Sequence, residues 1–284
     1  MRENLLDNVK TVSQMHKSYI EDMKSYKPID FGIPSITSAY NAFRSKEVLL
    51  IAARSGVGKT TLGLELGKNI AKNDNGYCPF FSLEMGEVSL YERMATMALS
   101  KSELSPFTTD RTIKALEDLR NINTINCEWE GFLTIDETGM TLERIRDYIL
   151  AIKDMQKVSC VVIDYLGYIR DTKAGTNYEK VTRTAKGIKE LAKLTDTRIL
   201  LLVQTSRAGE DGSAPVKLHH LRDSGAVEES ADYILGAWNG DNQIICEDLK
   251  NRKKQKGSKW ALENLGLYLH EVELIEVNNA KTFG

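Results

Sequence analysis

Ala53-Arg54-Ser55-Gly56-Val57-Gly58-Lys59-Thr60-Thr61 follows the apolar run Val48 to Ala53 and precedes a segment with helical periodicity. Small residues in such a loop let successive backbone N–H groups curl around an anion, and a helix beginning at Lys59 adds the positive end of its dipole. The pattern is that of a phosphate-binding P-loop. In it Lys59 would reach the β and γ phosphates of ATP, and the Thr60 hydroxyl would ligate Mg²⁺. Ser55, Gly56, Val57, Gly58 and Thr61 complete the cradle. The first position of the pattern holds Ala53 where glycine is usual, while Gly56 and Gly58 keep the loop interior permissive.

On either side of this stretch, short apolar runs alternate with helical segments, the signature of βαβ units and a mainly parallel sheet. The strands are read as 48–53, 78–83, 132–135, 158–164 and 198–204, and the helices between them as 59–72, 88–100, 141–156 and 178–194. Beyond Gln204 come a polar loop, a short helix at 226–230 and strands near 233–238, 243–249 and 260–264, whose tight turns imply antiparallel pairing. At the other end, Leu5, Val9, Val12, Tyr19, Met23 and Tyr26 recur at steps of three and four, with His16 as the one polar turn, which predicts one amphipathic helix over residues 1–27. Pro28 stops it, and 28–34 reads as a hinge to the domain of residues 28–284. Folding back onto that domain and docking on a neighbouring subunit fit the stripe equally well.

Three polar residues end apolar runs. Asp164 closes Val161-Val162-Ile163 and would hold Mg²⁺ through water. Glu84 follows Phe80-Phe81-Ser82-Leu83, which brings it to the carboxyl edge of a strand beside the P-loop, where a general base could orient the attacking water. Gln204 closes Ile199 to Val203 at the same edge, where an amide can hydrogen-bond the γ-phosphate without competing for metal. Each has an ordinary alternative: a turn cap, a helix-opening carboxylate, a polar strand end. Their convergence on one edge carries the reading.

Composition narrows the partners. With Lys+Arg 38 against Asp+Glu 40, a formal charge of -2, the 284-residue chain has no bulk cationic surface, so any nucleic-acid contact must be local. Hydrophobic residues at 42% and charged residues at 27% fit a folded globular chain and exclude a mostly disordered one. No apolar run reaches the roughly 18 residues needed to span a bilayer, and the first ten residues lack a signal-peptide apolar segment, so a cytoplasmic location is expected. Cys78, Cys127, Cys160 and Cys246 have no metal or disulfide spacing, and three sit in apolar runs as buried thiols. His219 and His220 lack further ligands at metal spacing and read as surface histidines.

Taken together, Ala-Arg-Ser-Gly-Val-Gly-Lys-Thr at 53–60, Ser-Leu-Glu-Met at 82–85, Val-Ile-Asp-Tyr-Leu at 162–166, Gln204-Thr205-Ser206-Arg207 and Leu221-Arg222-Asp223-Ser224-Gly225 resemble, in family order, the RecA-like domain of the DnaB family of replicative helicases. The resemblance runs from about Ile29 to near Leu269. It implies a RecA-like P-loop α/β fold, with antiparallel closing strands and an N-terminal linker helix that docks on the adjacent subunit. By the same resemblance Glu84 is the catalytic glutamate, Lys59, Thr60 and Asp164 are the nucleotide and metal positions, Gln204 senses phosphate, and Arg93 lies near the nucleotide. Arg222 and Gly225 match a segment that grips the backbone of single-stranded DNA, with Asp223 in place of the usual, longer glutamate.

Lys250-Asn251-Arg252 is similar to the family's Lys-x-Arg pair, which reaches into the adjacent subunit's nucleotide site. Arg252 is the candidate arginine finger. The same basic run, continuing through Lys253, Lys254, Lys256 and Lys259, also reads as a solvated hairpin tip or a nucleic-acid patch. Loops 170–180, with Arg170 and Lys173, and 206–220, with Arg207, would line a DNA channel and grip backbone rather than read bases. The implied partners are single-stranded DNA and further copies of the chain in a ring, a hexamer by resemblance, together with a primase and a helicase loader, and the implied polarity is 5′ to 3′. The family's N-terminal helical domain has no counterpart before residue 28, so the chain reads as a minimal form or as a fragment. Two rival classes share the P-loop: a recombinase or mediator forming filaments on DNA, and a regulatory RecA-like ATPase that binds no nucleic acid.

Overall fold

A computed structural model describes residues 9–100, 117–171, 173–205, 213–221, 224–241, 243–265 and 268–273 of the chain. Among the described residues, nine strands form a single sheet: β1 (Val48–Ala53), β2 (Cys78–Ser82), β3 (Phe132–Ile135), β4 (Val161–Asp164), β5 (Ile199–Gln204), β6 (Tyr233–Asn239), β7 (Ile244–Asn251), β8 (Lys259–Leu265) and β9 (Tyr268–Val272). Their spatial order is β3-β2-β4-β5-β1-β6-β7-β8-β9. The first six in that order run parallel, and β7, β8 and β9 continue antiparallel. β6 therefore belongs to both halves, since it is parallel to β1 and antiparallel to β7.

The sheet has a core on each face. Along β1, Leu49, Ile51 and Ala53 join one cluster, while Val48, Leu50 and Ala52 join the other. A strand covered on both sides has no solvent face to mark with polar residues, which is why β1 and β5 read as unbroken apolar runs. The first face carries α3 (Lys59–Asn73), α4 (Glu87–Ser100) and α5 (Leu119–Glu128). The second carries α6 (Leu142–Met155) and α7 (Asn177–Leu194), which start on Thr141 and Thr176 side chains that accept from the backbone N–H groups of Arg144 and Glu179. A short α8 (Ser224–Ser230) precedes β6.

The amino-terminal region departs from its sequence reading in two respects. Its helix, α1, spans Val12–Ser25 and is set by a capping box between Thr11 and Gln14, so among the described residues it begins only at Val12; residues 1–8, with Leu5 of the predicted stripe, lie outside the described residues. None of its residues is buried, and Val12, Met15 and Tyr19 face solvent. The segment read as a hinge is core: Ile29, Phe31 and Ile33 are buried, and Pro34 opens α2 (Pro34–Tyr40). Proline at the first helical position has no N–H to leave unpaired, so here it starts an element where the sequence suggested a boundary.

Candidate active site

β1 ends at the P-loop, and the loop turns into α3 through Gly58, whose φ of 105° is left-handed. Gly56 has a φ of 84°. A side chain at either position would strain the backbone, which is the physical reason for glycine at these two points. Two clefts of about 430 Å³ each flank the loop. One is lined by residues 54–61 with Glu84, Met85 and Arg93; the other is lined by Arg54, Ser55, Tyr165, Asn177, Gln204 and Thr205.

Strand pairing brings the carboxylates to Lys59. Ser82 of β2 is in register with Asp164 of β4, and Leu83 N–H donates to the Asp164 carbonyl at 2.7 Å, so Glu84 emerges beside Asp164. Lys59 Nζ lies 3.4 Å from Glu84 Oε2 and 3.5 Å from Asp164 Oδ1, and 4.0 Å from the centroid of the Tyr165 ring. Thr60 Oγ1 donates to Asp164 Oδ2 at 2.6 Å. Burial pushes the Asp164 carboxyl above the usual aspartate range, with Lys59 and the Thr60 hydroxyl pulling the other way. Asp164 Oδ1 is buried and has no hydrogen-bond partner among the described residues. A buried oxygen left so is costly unless something else completes it.

Gln204 is in register with Ala53, and Thr205 N–H donates to the Ala53 carbonyl, which seats Gln204 against the start of the P-loop. Arg93, on α4, reaches the loop from the opposite side, with Nη1 at 3.5 Å from Thr61 Oγ1. Lys173 is exposed in the segment after β4, and Gly225 is exposed at the start of α8. Arg207, Arg222 and Asp223 lie outside the described residues.

Lys250 and Arg252 stand at the other end of the sheet. Asn251 is in register with Tyr233, and Tyr233 with Leu49, so the basic ribbon is rooted beside the first residues of β1 while the P-loop follows its last. Six strand residues separate them by about 20 Å. Lys250 Nζ donates to the Glu228 carbonyl at 2.6 Å, and Arg252 Nη1 pairs with Asp232 at 2.9 Å. Burial, and then the nearby Arg252 charge, lower the Lys250 ammonium below the usual lysine range. Two contributors escaped the sequence reading. Tyr165 was visible only as the residue after Asp164, and Asp232 carries no motif of its own.

The fold and the cleft define a P-loop α/β domain of the RecA-like kind. Residues 29–262 match the family described as DnaB-like helicase C terminal domain, and the chain belongs to that family. It is 30% identical over 207 residues to the replicative DNA helicase DnaB of Treponema pallidum (strain Nichols), covering 72% of this chain and 46% of that protein. It is 32% identical over 91 residues to the replicative DNA helicase DnaC of Bacillus subtilis (strain 168), covering 31% and 20% of the two chains. The chain therefore spans less than half the length of these relatives. A solved DnaB-like replicative helicase, described with its interactions with primase, superposes with a TM-score of 0.77 at 22% identity, over 94% of this chain and 68% of that one. A solved ATPase domain superposes with a TM-score of 0.76 at 21% identity, over 95% of this chain and 100% of that one. At those identities the likeness is one of fold. Among the described residues, no helix is long and apolar enough to cross a membrane.

Proposed function

We propose that this chain is the ATP- and Mg²⁺-dependent motor of a replicative DNA helicase, a cytoplasmic ring of six copies that moves 5′ to 3′ along single-stranded DNA and parts the duplex ahead of it. One observation carries the reading: Lys59, Thr60, Asp164 and Glu84 converge on one cleft, while Lys250 and Arg252 stand about a strand length away, out of reach of that cleft within the same chain. A cation so placed serves a neighbour's phosphates in a head-to-tail ring. Family membership favours this reading over a filament-forming recombinase or a regulatory ATPase.

In this mechanism the N–H groups of 55–61 cradle the phosphates, and Lys59 leaves Glu84 for the β and γ oxygens. Glu84, freed of that partner, takes a proton from the attacking water on its carboxylate. Thr60 and Asp164 offer the oxygen donors a hard divalent cation prefers, and Asp164 Oδ1, which among the described residues has no hydrogen bond and the Lys59 ammonium standing off at 3.5 Å, fits one. Mg²⁺ held there would neutralise charge on the phosphoryl oxygens. Arg93 steadies the nucleotide beside Thr61, and Gln204 registers loss of the γ-phosphate and passes it to the segment after β5. Arg207, Arg222, Asp223, Gly225 and Lys173 hold the DNA backbone in the channel. A primase and a loader are the expected protein partners.

The test is a strand-separation assay on wild type, Lys59→Ala, Glu84→Gln and Arg252→Ala. All three variants should lose unwinding, and Arg252→Ala should poison rings mixed with wild type because it acts on its neighbour. An ATPase rate indifferent to added single-stranded DNA, or filaments in place of rings by electron microscopy, would overturn the proposal.

A further inference from the structure

Asp232 is a buried carboxylate at the end of the sheet remote from the P-loop, 4% exposed, between α8 and β6. Its Oδ2 accepts from Val48 N–H at 2.8 Å and from Lys189 Nζ of α7. Its Oδ1 takes Arg252 Nη1 at 2.9 Å. Lys189 also donates to the Lys46 carbonyl at 2.9 Å, so this cation is tied to the root of β1 as well. The carboxylate is thus anchored to the central strand by the backbone and by a half-buried lysine, while the arginine it presents is 52% exposed. A guanidinium gripped along one edge keeps its remaining N–H groups available, and its planar fork fixes their direction.

We infer that Asp232 is the positioning residue for Arg252, holding the guanidinium at the angle at which its free edge meets the phosphates bound by the next subunit. The inference rests on the ring reading above. Lys189 makes the device workable. Were Arg252 the only partner of Asp232, any shift toward a phosphate would strand a buried charge. With Lys189 and Val48 N–H in place the carboxylate stays compensated while the arginine adjusts. The carbonyls of Glu228 and Glu229, at the end of α8, receive Lys250 Nζ at 2.6 Å and Arg252 Nη2 at 3.5 Å, so both cations of the ribbon are seated against one small cradle.

The experiment uses the full chain assembled on single-stranded DNA. Asp232→Asn keeps an acceptor for Val48 N–H but removes the charge, and it should lower kcat for ATP by about 10- to 100-fold with KM nearly unchanged, because a misplaced finger weakens the transition state rather than nucleotide binding. The double variant Asp232→Asn with Lys189→Met removes the cation otherwise left unpaired and should show the same kcat loss in a stably folded protein. Mixing either with Lys59→Ala gives the decisive readout. A Lys59→Ala subunit has a dead cleft but an intact finger, so about one interface in four of a 1:1 ring joins a good cleft to a good finger, and ATP hydrolysis, which needs a sound interface rather than a fully working ring, should rise above the sum of the two separate proteins even though unwinding stays blocked. Arg252→Ala mixed with Lys59→Ala is the reference. If that reference pair recovers activity and the Asp232 pairs do not, or if the Asp232 variants turn over ATP at or above the wild-type rate, the positioning role is wrong while the ring reading stands. If the reference pair itself fails to recover, the cation in trans falls and this inference falls with it.

Discussion

Two aspartates sit at opposite ends of the parallel half of the sheet, each facing a lysine, and they are finished differently. Asp232 has each carboxylate oxygen bonded, to Val48 N–H and Lys189 on one side and to Arg252 on the other. Asp164 has one oxygen on Thr60 and the other buried without a hydrogen bond among the described residues, with Lys59 standing off at 3.5 Å. Saturated hydrogen bonding holds a chain in place, whereas an unfinished, buried set of donors and acceptors marks where something else is to be bound. The difference separates a mechanical anchor from a binding cleft although the two ends use the same residue types.

The sharpest way to break this comparison is through turnover. Arg252→Ala should reduce ATP hydrolysis in assembled rings by about 10³-fold or more while leaving nucleotide binding to isolated subunits intact, whereas Lys59→Ala should abolish that binding; fluorescent-nucleotide titration alongside phosphate release separates the two. A binding loss in Arg252→Ala would place both ends in one site. Glu84→Gln should cost about 10²- to 10⁴-fold in single-turnover hydrolysis with affinity kept, as for removal of a general base.

Stability should sort the two aspartates in the reverse sense. Asp232→Ala strips acceptors from a backbone N–H and two cations, one of them half in solvent, and should cost about 2 kcal/mol, lowering Tm by about 4–8 °C in a thermal melt. Asp164 has the opposite sign. Its folded-state pKa is raised by burial, so the protonated form stabilises the fold below the ordinary aspartate range and that advantage is lost as pH rises through the raised value. At neutral pH its charge is a standing cost, and Asp164→Asn should leave Tm unchanged or higher even as Mg²⁺-dependent hydrolysis disappears. A marked fall in Tm would show that Asp164 serves the fold. The smallest effect is expected at α1: among the described residues, deleting the chain up to Ser25 removes no buried side chain, so Tm should move by less than about 2 °C while light scattering reports loss of the ring.

Much of the parallel half was legible because its signals are local. An unbroken apolar run means a strand covered on both faces, and β1 begins and ends where its sequence pattern does. The P-loop could be read because the left-handed turns at Gly56 and Gly58 impose glycine. The stretch 28–34 misled because its prolines and glycine are common to linkers and to helix starts, and only the alternating burial of Ile29, Phe31 and Ile33 distinguishes them. α5 and β9 are not among the elements proposed from the sequence: β9 is only five residues long, and α5, though amphipathic, begins on the Asp118 cap with no apolar run to announce it.

Residue order alone dictated the loop that cups an anion, the alternation of strand and helix, and which polar groups end up on the carboxyl edge, since each of these follows from backbone geometry within a few residues. It could not say that Tyr165 would lie over the Lys59 ammonium, that Asp164 would keep one oxygen without a hydrogen bond among the described residues, or that Arg252 would rest on Asp232 at the far end of β1. Those facts depend on strand order and register across the sheet, where residues as far apart as 48, 189, 232 and 252 become neighbours through packing that no local pattern encodes.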